Sequence, residues 1–156
     1  MTRLTREDFF MEAARLCAKR STCLRGQVGA VLVDGKHIVA HGYNGAPAGM
    51  NHCLDVGCDE ETVYVKGERA FEPQTTGCRR AIHAEANLIA YAARHGVCTL
   101  GCVLYSTAEP CRKCAELIVQ AGITHVYFEN PYRLGASQFL TEAGIHIYQH
   151  VWTPVG

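Results

Sequence analysis

The chain has 156 residues, the size of one domain, and 48% are hydrophobic against 19% charged, so it can fill a core. Fifteen Lys and Arg balance fifteen Asp and Glu. That balance lacks the basic excess of a nucleic-acid backbone binder and favours a small-molecule ligand. No apolar run approaches the ~20 residues of a membrane span. MTRLTREDFF lacks a signal peptide's apolar stretch, so the expected compartment is the cytoplasm. Nine cysteines, an odd number, then read as metal ligands, buried small hydrophobes or a reactive thiol rather than as a disulfide framework.

Thr5 and Asp8 open a capping-box-like start, and Phe9, Phe10, Ala13, Leu16 and Cys17 follow at helical spacing, predicting a helix over Arg6–Arg20. Val28–Val33 is β-rich and ends in Asp34-Gly35, a hairpin turn, with Lys36–Tyr43 as the returning strand. GYNGAPAG (Gly42–Gly49) forces a loop. Residues 51–80 show no sustained period and read as an irregular insert; such a stretch is ordered only when it is functional or fastened. Ile82, Ala86, Ile89 and Ala93 mark an apolar helical face, which Gly96 closes. A strand over Val103–Thr107, a helix over Cys111–Ala121 behind Pro110, and a strand over Ile123–Phe128 come next. A helix over Ala136–Ala143 and a strand over Ile145–His150 finish the chain. This alternation predicts one α/β domain spanning 1–156: a three-layer α-β-α sandwich around a mixed five-stranded sheet.

Two fragments point to chemistry. His83-Ala84-Glu85 and Pro110-Cys111-Arg112-Lys113-Cys114 each sit where a helix begins. Cysteines three apart lie on one side of a helix, and its N-terminal partial positive charge favours their thiolates. With His83 they make three ligands suited to zinc, leaving a tetrahedral position open as in a catalytic site. Glu85 is then the carboxylate that takes a proton from water and delivers it to substrate. Residues two apart do not share a face in mid-helix, so His83 and Glu85 cooperate only if the metal sits off the helix's first turn. Alone, the Cys-x-x-Cys would fit a redox pair or half of a structural zinc ribbon equally well. Together the fragments match the signature of zinc nucleobase deaminases, H-x-E…P-C-x-x-C.

Over nearly its whole length the chain resembles the deoxycytidylate (dCMP) deaminase family of the cytidine-deaminase-like superfamily. The resemblance rests on STCLRGQVGAVLV (Ser21–Val33), GYNGAPAG, HCLDVGC (His52–Cys58), CRRAIHAE (Cys78–Glu85) and EPCRKC (Glu109–Cys114). It implies hydrolytic deamination of dCMP to dUMP, a catalytic zinc on His83, Cys111 and Cys114, and Glu85 as proton shuttle. Asn44 would bond the sugar, although Asn-Gly also forms turns by itself. The Ala84 backbone would contact the pyrimidine. A homo-oligomer, often a hexamer, and dCTP and dTTP as effectors are implied as well. Arg25, Tyr132 and Arg133 are candidates for the phosphate, since a dianion needs donors at the cavity mouth. Thr107-Ala108-Glu109-Pro110-Cys111 departs toward the T-x-E-P-C of tRNA-adenosine and guanine deaminases. The alternatives are therefore a deaminase of dCTP, a nucleoside, guanine or tRNA adenosine, or a zinc-stabilised nucleotide-binding module without catalysis.

Some phage members of that family carry a second, structural zinc, and Cys23 and Cys53 match its ligand positions by their spacing from the shared motifs. The expected set is Cys23, Cys53, Cys58 and Cys78, with His52 as alternate; a closed four-ligand site would fasten the insert. Ordinary buried thiols are the competing reading. Cys17, Cys98 and Cys102 sit on apolar patterns and read as core. His37, His41, His95, His125, His146 and His150 lack ligand spacing and read as strand-surface or helix-end residues.

Overall fold

The computed structural model describes residues 3–60, 62–67, 70–75 and 77–152. Helix α1 spans Arg6–Ala18 and starts at Thr5, whose hydroxyl accepts from the Asp8 amide at 3.1 Å. The Asp34-Gly35 turn joins β1 (Gly29–Asp34) to β2 (His37–Tyr43), with Gly35 at φ 57°. The 3.6- and 2-residue periods then alternate as expected through α3 (Ala84–His95), β5 (Val103–Ala108), α4 (Arg112–Gln120), β6 (His125–Asn130), α5 (Ser137–Glu142) and β7 (His146–Gln149).

Five of these strands form one sheet in the order β2-β1-β5-β6-β7. The β2-β1 and β1-β5 pairs are antiparallel, and β5-β6 and β6-β7 are parallel, so the sheet is mixed as expected. Side chains alternate across it. Val31, Val33 and Tyr105 face α1 and meet Phe10, Met11 and Ala14. Ala30, Leu32, Leu104 and Val126 face the other way, into a core shared with Leu88 of α3, Ala115 and Ile118 of α4 and Leu140 of α5. Central β1 is therefore buried on both faces up to Val33, which is why its sequence is an unbroken apolar run.

The insert differs from expectation. A short helix, α2 (Cys53–Val56), and a separate antiparallel hairpin, β3 (Thr62–Lys66) with β4 (Phe71–Thr75), occupy it. Tyr64 and Phe71 are exposed and no strand of the main sheet pairs with the hairpin. Val63 and Val65 on its other face are only half-buried, and Pro73, a residue that ordinarily argues against a strand, sits opposite Tyr64. The α3 face also differs. Ala84, Leu88 and Ala92 are its fully buried apolar residues, with Ile89 packed at the flank and Ala93 exposed. Cys98 is exposed rather than core, Cys17 is half-buried, and Cys102 is buried. His150 is not a surface residue: its Nε2 lies 3.0 Å from Oδ1 of buried Asp8. Among the described residues, no helix is long and apolar enough to cross a membrane.

Candidate active site

The site lies beyond the carboxyl ends of β5 and β6, the usual position for ligands on an open α/β sheet. Two helices begin there. His83 is the residue before the first turn of α3, and Cys111 holds the same place before α4. Neither side chain caps its helix, so both are free to point away from the axis. This resolves the two-apart constraint: His83 stands outside the helix, Glu85 lies inside its first turn, and both line one cavity.

Local packing holds this start in place. Gly45 and Ile82 exchange backbone hydrogen bonds at 3.2 and 2.9 Å, tying the lead-in of His83 to the GYNG loop. Gly42 lets α3 lie directly on β2: a methyl there would come within 2.9 Å of the Leu88 nitrogen and overlap the Ala84 carbonyl. Asn87 adds a side-chain bond to the Tyr43 carbonyl at 3.0 Å.

The ligand atoms converge. Nδ1 of His83 is 3.4 Å from Sγ of Cys111 and 3.5 Å from Sγ of Cys114. Tetrahedral zinc with ordinary bond lengths sets its nitrogen and sulfur ligands about 3.6 Å apart, so the donors already fit the ion. Their protonation is poised for one. Bonding to Cys114, opposed by burial and aided by His83, holds the Cys111 thiol at about 3. The Cys114 thiol is pushed up by Cys111, by burial and by Glu85. The hydrogen bond to Cys111 raises His83. One thiolate thus forms readily, while the second awaits a cation.

Glu85 is 3% exposed and accepts a bond from Oγ of buried Ser106 at 3.3 Å. Burial raises its carboxyl above the usual range, against lowering by its own amide, by His83 and by Ser106. Sequence reading missed Ser106; its only trace there is a hydroxyl inside the apolar run of β5.

A cavity of about 300 Å³ opens onto these groups, enough for a small molecule. Arg25, Asn44, Ala84, Tyr132 and Arg133 all line it, beside His83, Glu85 and Cys111. Asn44 is buried and spans two backbone groups: Oδ1 accepts from the Val28 amide and Nδ2 donates to the Gly26 carbonyl, both at 2.8 Å. Asn44 therefore forms no local turn; it braces the 26–28 backbone while lining the cavity. Arg25 pairs with Glu60 of the insert at 2.9 Å.

The second cysteine group also assembles. Ligand atoms of Cys23, Cys53 and Cys58 lie within 4.8 Å of one another, and Sγ of Cys78 is 3.6 Å from Sγ of Cys53. Burial, with bonding to Cys78 and Cys58, pushes Cys53 up to about 12. Cys78 runs the other way. Burial raises it, but the Asp59 amide, 3.4 Å from its sulfur, and the Cys53 thiol bring it below 9.0. His52 is exposed, precedes α2, and does not join the group. Cys23 and Cys78 line the main cavity too, so this cluster forms part of its wall.

A histidine and two cysteines closing on one point, with a buried carboxylate beside them in a cleft, define a metal-dependent hydrolytic site. Residues 4–130 match the cytidine and deoxycytidylate deaminase zinc-binding region, and the chain belongs to that family. It is 38% identical over 151 residues to ComE operon protein 2 of Bacillus subtilis, covering 96% of this chain and 73% of that protein. It is 38% identical over 129 residues to the deoxycytidylate deaminase of Mycobacterium phage D29, covering 82% and 97%. The deoxycytidylate deaminase of Schizosaccharomyces pombe is 35% identical over 147 residues; 93% of this chain matches 44% of that longer protein. Among solved structures, the dCMP deaminase of cyanophage S-TIM5, in complex with dCMP and dUMP, superposes with a TM-score of 0.77 at 27% identity. That match covers 96% of this chain and 100% of the cyanophage chain.

Proposed function

We propose that this protein hydrolyses dCMP to dUMP and ammonia, with His83, Cys111 and Cys114 holding a catalytic zinc and Glu85 moving the protons. The observation that carries this reading is the convergence of His83, Cys111 and Cys114 at a cavity that His83, Cys111 and the buried Glu85 line. When bound, zinc supplies the Lewis acidity that makes water a competent nucleophile near neutral pH. The protein's own work is positioning and proton transfer. Glu85 accepts a proton from the attacking water and delivers it to ring N3. It then takes the proton of the new C4 hydroxyl and passes it to the amine, so that C4=O forms as the C–N bond breaks and ammonia leaves. Ser106 orients the Glu85 carboxylate through Oε1. The buried setting keeps that carboxyl easy to protonate and excludes competing water.

The remaining lining groups suit a nucleotide. The Ala84 backbone borders the site where the ring would lie, and the amide of Asn44 has a second N–H for the sugar. Arg25, Tyr132 and Arg133 supply donors for the phosphate. Resemblance to a structure holding dCMP and dUMP supports this assignment over guanine or tRNA adenosine. Cys23, Cys53, Cys58 and Cys78 would hold a second, structural zinc; the 3.6 Å between two of the sulfurs suits tetrahedral thiolate ligation, which sets them about 3.8 Å apart. Thiolate ligands suit a reducing cytoplasm. A homo-oligomer, of hexameric form, with dCTP and dTTP as effectors, follows from the family resemblance. Exposed Leu117, which lines a groove with Ile89 and Ala93 of α3, supports association of subunits.

The test is ultraviolet absorbance of dCMP, dCTP and deoxycytidine turnover, each with and without added dCTP or dTTP. The highest kcat/KM is expected with dCMP. Preference for dCTP or deoxycytidine, or no turnover by zinc-replete protein, would overturn the assignment.

A further inference from the structure

Glu109, the residue that departs toward the T-x-E-P-C pattern, spends its carboxylate on the chain rather than on open solvent. Its Oε2 accepts from the Tyr132 amide at 3.1 Å. Its Oε1 accepts from the Ser137 amide at 3.3 Å and from the Ser137 hydroxyl. These donors stand at the two ends of the loop between β6 and α5. Three donors converging on one side chain call for an acceptor-only group with several lone pairs, which an ionised carboxylate is and an amide is not.

The backbone is built around this contact. Ala136 donates to the Pro110 carbonyl at 3.0 Å, and Gly135 bridges Cys111, so the loop lies along the Glu109-Pro110-Cys111 junction. Gly135 sits directly against the carboxylate, where a methyl would overlap its carbon and both oxygens. Tyr132, at one tethered end, and Arg133 beside it are the lining residues this loop contributes to the cavity.

We propose that Glu109 is a positioning residue that clamps the 131–136 loop, so that Tyr132 and Arg133 are held ready for a nucleotide's phosphate. The clamp selects phosphorylated substrate over free nucleoside without touching the reacting atoms. It rests on the reading of the cavity as a pyrimidine-nucleotide site, and it goes beyond that reading by assigning the selectivity to a side chain anchored on the zinc-bearing junction. A loosened loop still admits the ring but no longer presents its donors in advance, so the loss falls on binding the phosphorylated substrate.

The experiment compares Glu109→Ala, Glu109→Gln and Gly135→Ala with the parent protein, using dCMP and deoxycytidine as substrates, metal content as a check, and amide hydrogen exchange as a separate readout. Each variant is expected to keep its zinc and to lower the dCMP-over-deoxycytidine ratio of kcat/KM by about 10- to 100-fold, chiefly through KM for dCMP. Amides of Tyr132 and Ser137 should exchange faster while those of α3 and α4 do not. Gly135→Ala acts by displacing the carboxylate, so it tests the clamp even if Glu109→Ala fails to fold. An unchanged ratio with both rates falling together, or unchanged exchange at Tyr132 and Ser137, would overturn the clamp. A parent protein that does not prefer dCMP would instead overturn the nucleotide reading, and the exchange data alone would still report whether Glu109 holds the loop.

Discussion

Glu85 shows how a single side chain acquires a chemical role from where it is buried. Its oxygens meet Ser106, its neighbours are His83 and Cys111, and its environment favours the protonated form more than water does. A group of that kind can take up and release a proton within one turnover. Replacing it with the isosteric amide should leave the ligands untouched. Glu85→Gln is therefore expected to retain zinc while ammonia release falls by about 10²–10⁴-fold, and Cys111→Ala to lose the catalytic metal altogether. Steady-state ammonia assays paired with metal analysis check both; full turnover by the first or full occupancy in the second would contradict the roles. His83-x-Glu85 and Cys111-x-x-Cys114 were legible as a sequence pattern because ligand chemistry is a matter of residue type and spacing. Ser106 was not, since a hydroxyl in a buried strand has no spacing to announce its partner 21 residues away.

Among the elements, α3 and α4 matter for their first turns and the insert for its cysteines. Each helix begins directly after a ligand, so the helix N-termini and the donors arrive together. The insert has no comparable core: its hairpin exposes Tyr64 and Phe71, and the buried side chain of α2 is Cys53. The structural zinc proposed for Cys23, Cys53, Cys58 and Cys78 would supply what apolar burial does not. Metal analysis is expected to give about two zinc ions per chain, and Cys53→Ala about one, with proteolysis in the 53–80 segment accelerated at least about tenfold. One zinc in the parent protein would remove the second site. The cysteine set was legible in the family resemblance and in an irregular stretch that needs fastening, and the structure brings Cys23, Cys53 and Cys58 together with Cys78 beside Cys53. The hairpin was not, because alternation over Thr62–Lys66 is short and Pro73 interrupts its partner.

Across the whole molecule, the sheet is covered unequally. Helices α3, α4 and α5 share one core, while among the described helices α1 packs on the other face. Beyond α1 that face continues as a row of rings: Phe10 on Tyr105, Tyr105 stacked on Tyr127 at 4.8 Å, and Tyr127 on Tyr148 at 4.9 Å. Burial pushes the Tyr105 hydroxyl up to about 12, and raises that of Tyr127. A folded-state value above the ordinary 10.0 means that the neutral ring is favoured in the folded protein. This stabilisation is fully present below pH 10 and is lost as pH rises toward 12. Denaturant midpoints should therefore fall across that window, and Tyr105→Phe should flatten part of the fall. A midpoint independent of pH there would refute the buried-phenol account.

Sequence alone determined the alternation of elements, the mixed α/β class, and the residues able to bind a metal, because periodicity and ligand type are local properties of the chain. The apolar face of α3 was misplaced, since this helix also buries Glu85, and hydrophobicity cannot register that. Cys98 and His150 traded expected places for the same reason: exposure is set by what packs above a residue, not by its own neighbours in the chain. Only the tertiary structure brought Glu109 onto Tyr132 and Ser137, seated Arg25 on Glu60, and made one cavity of groups drawn from residues 23 to 133. Contacts across such distances depend on strand order and helix docking, and those are decided by packing of the entire core.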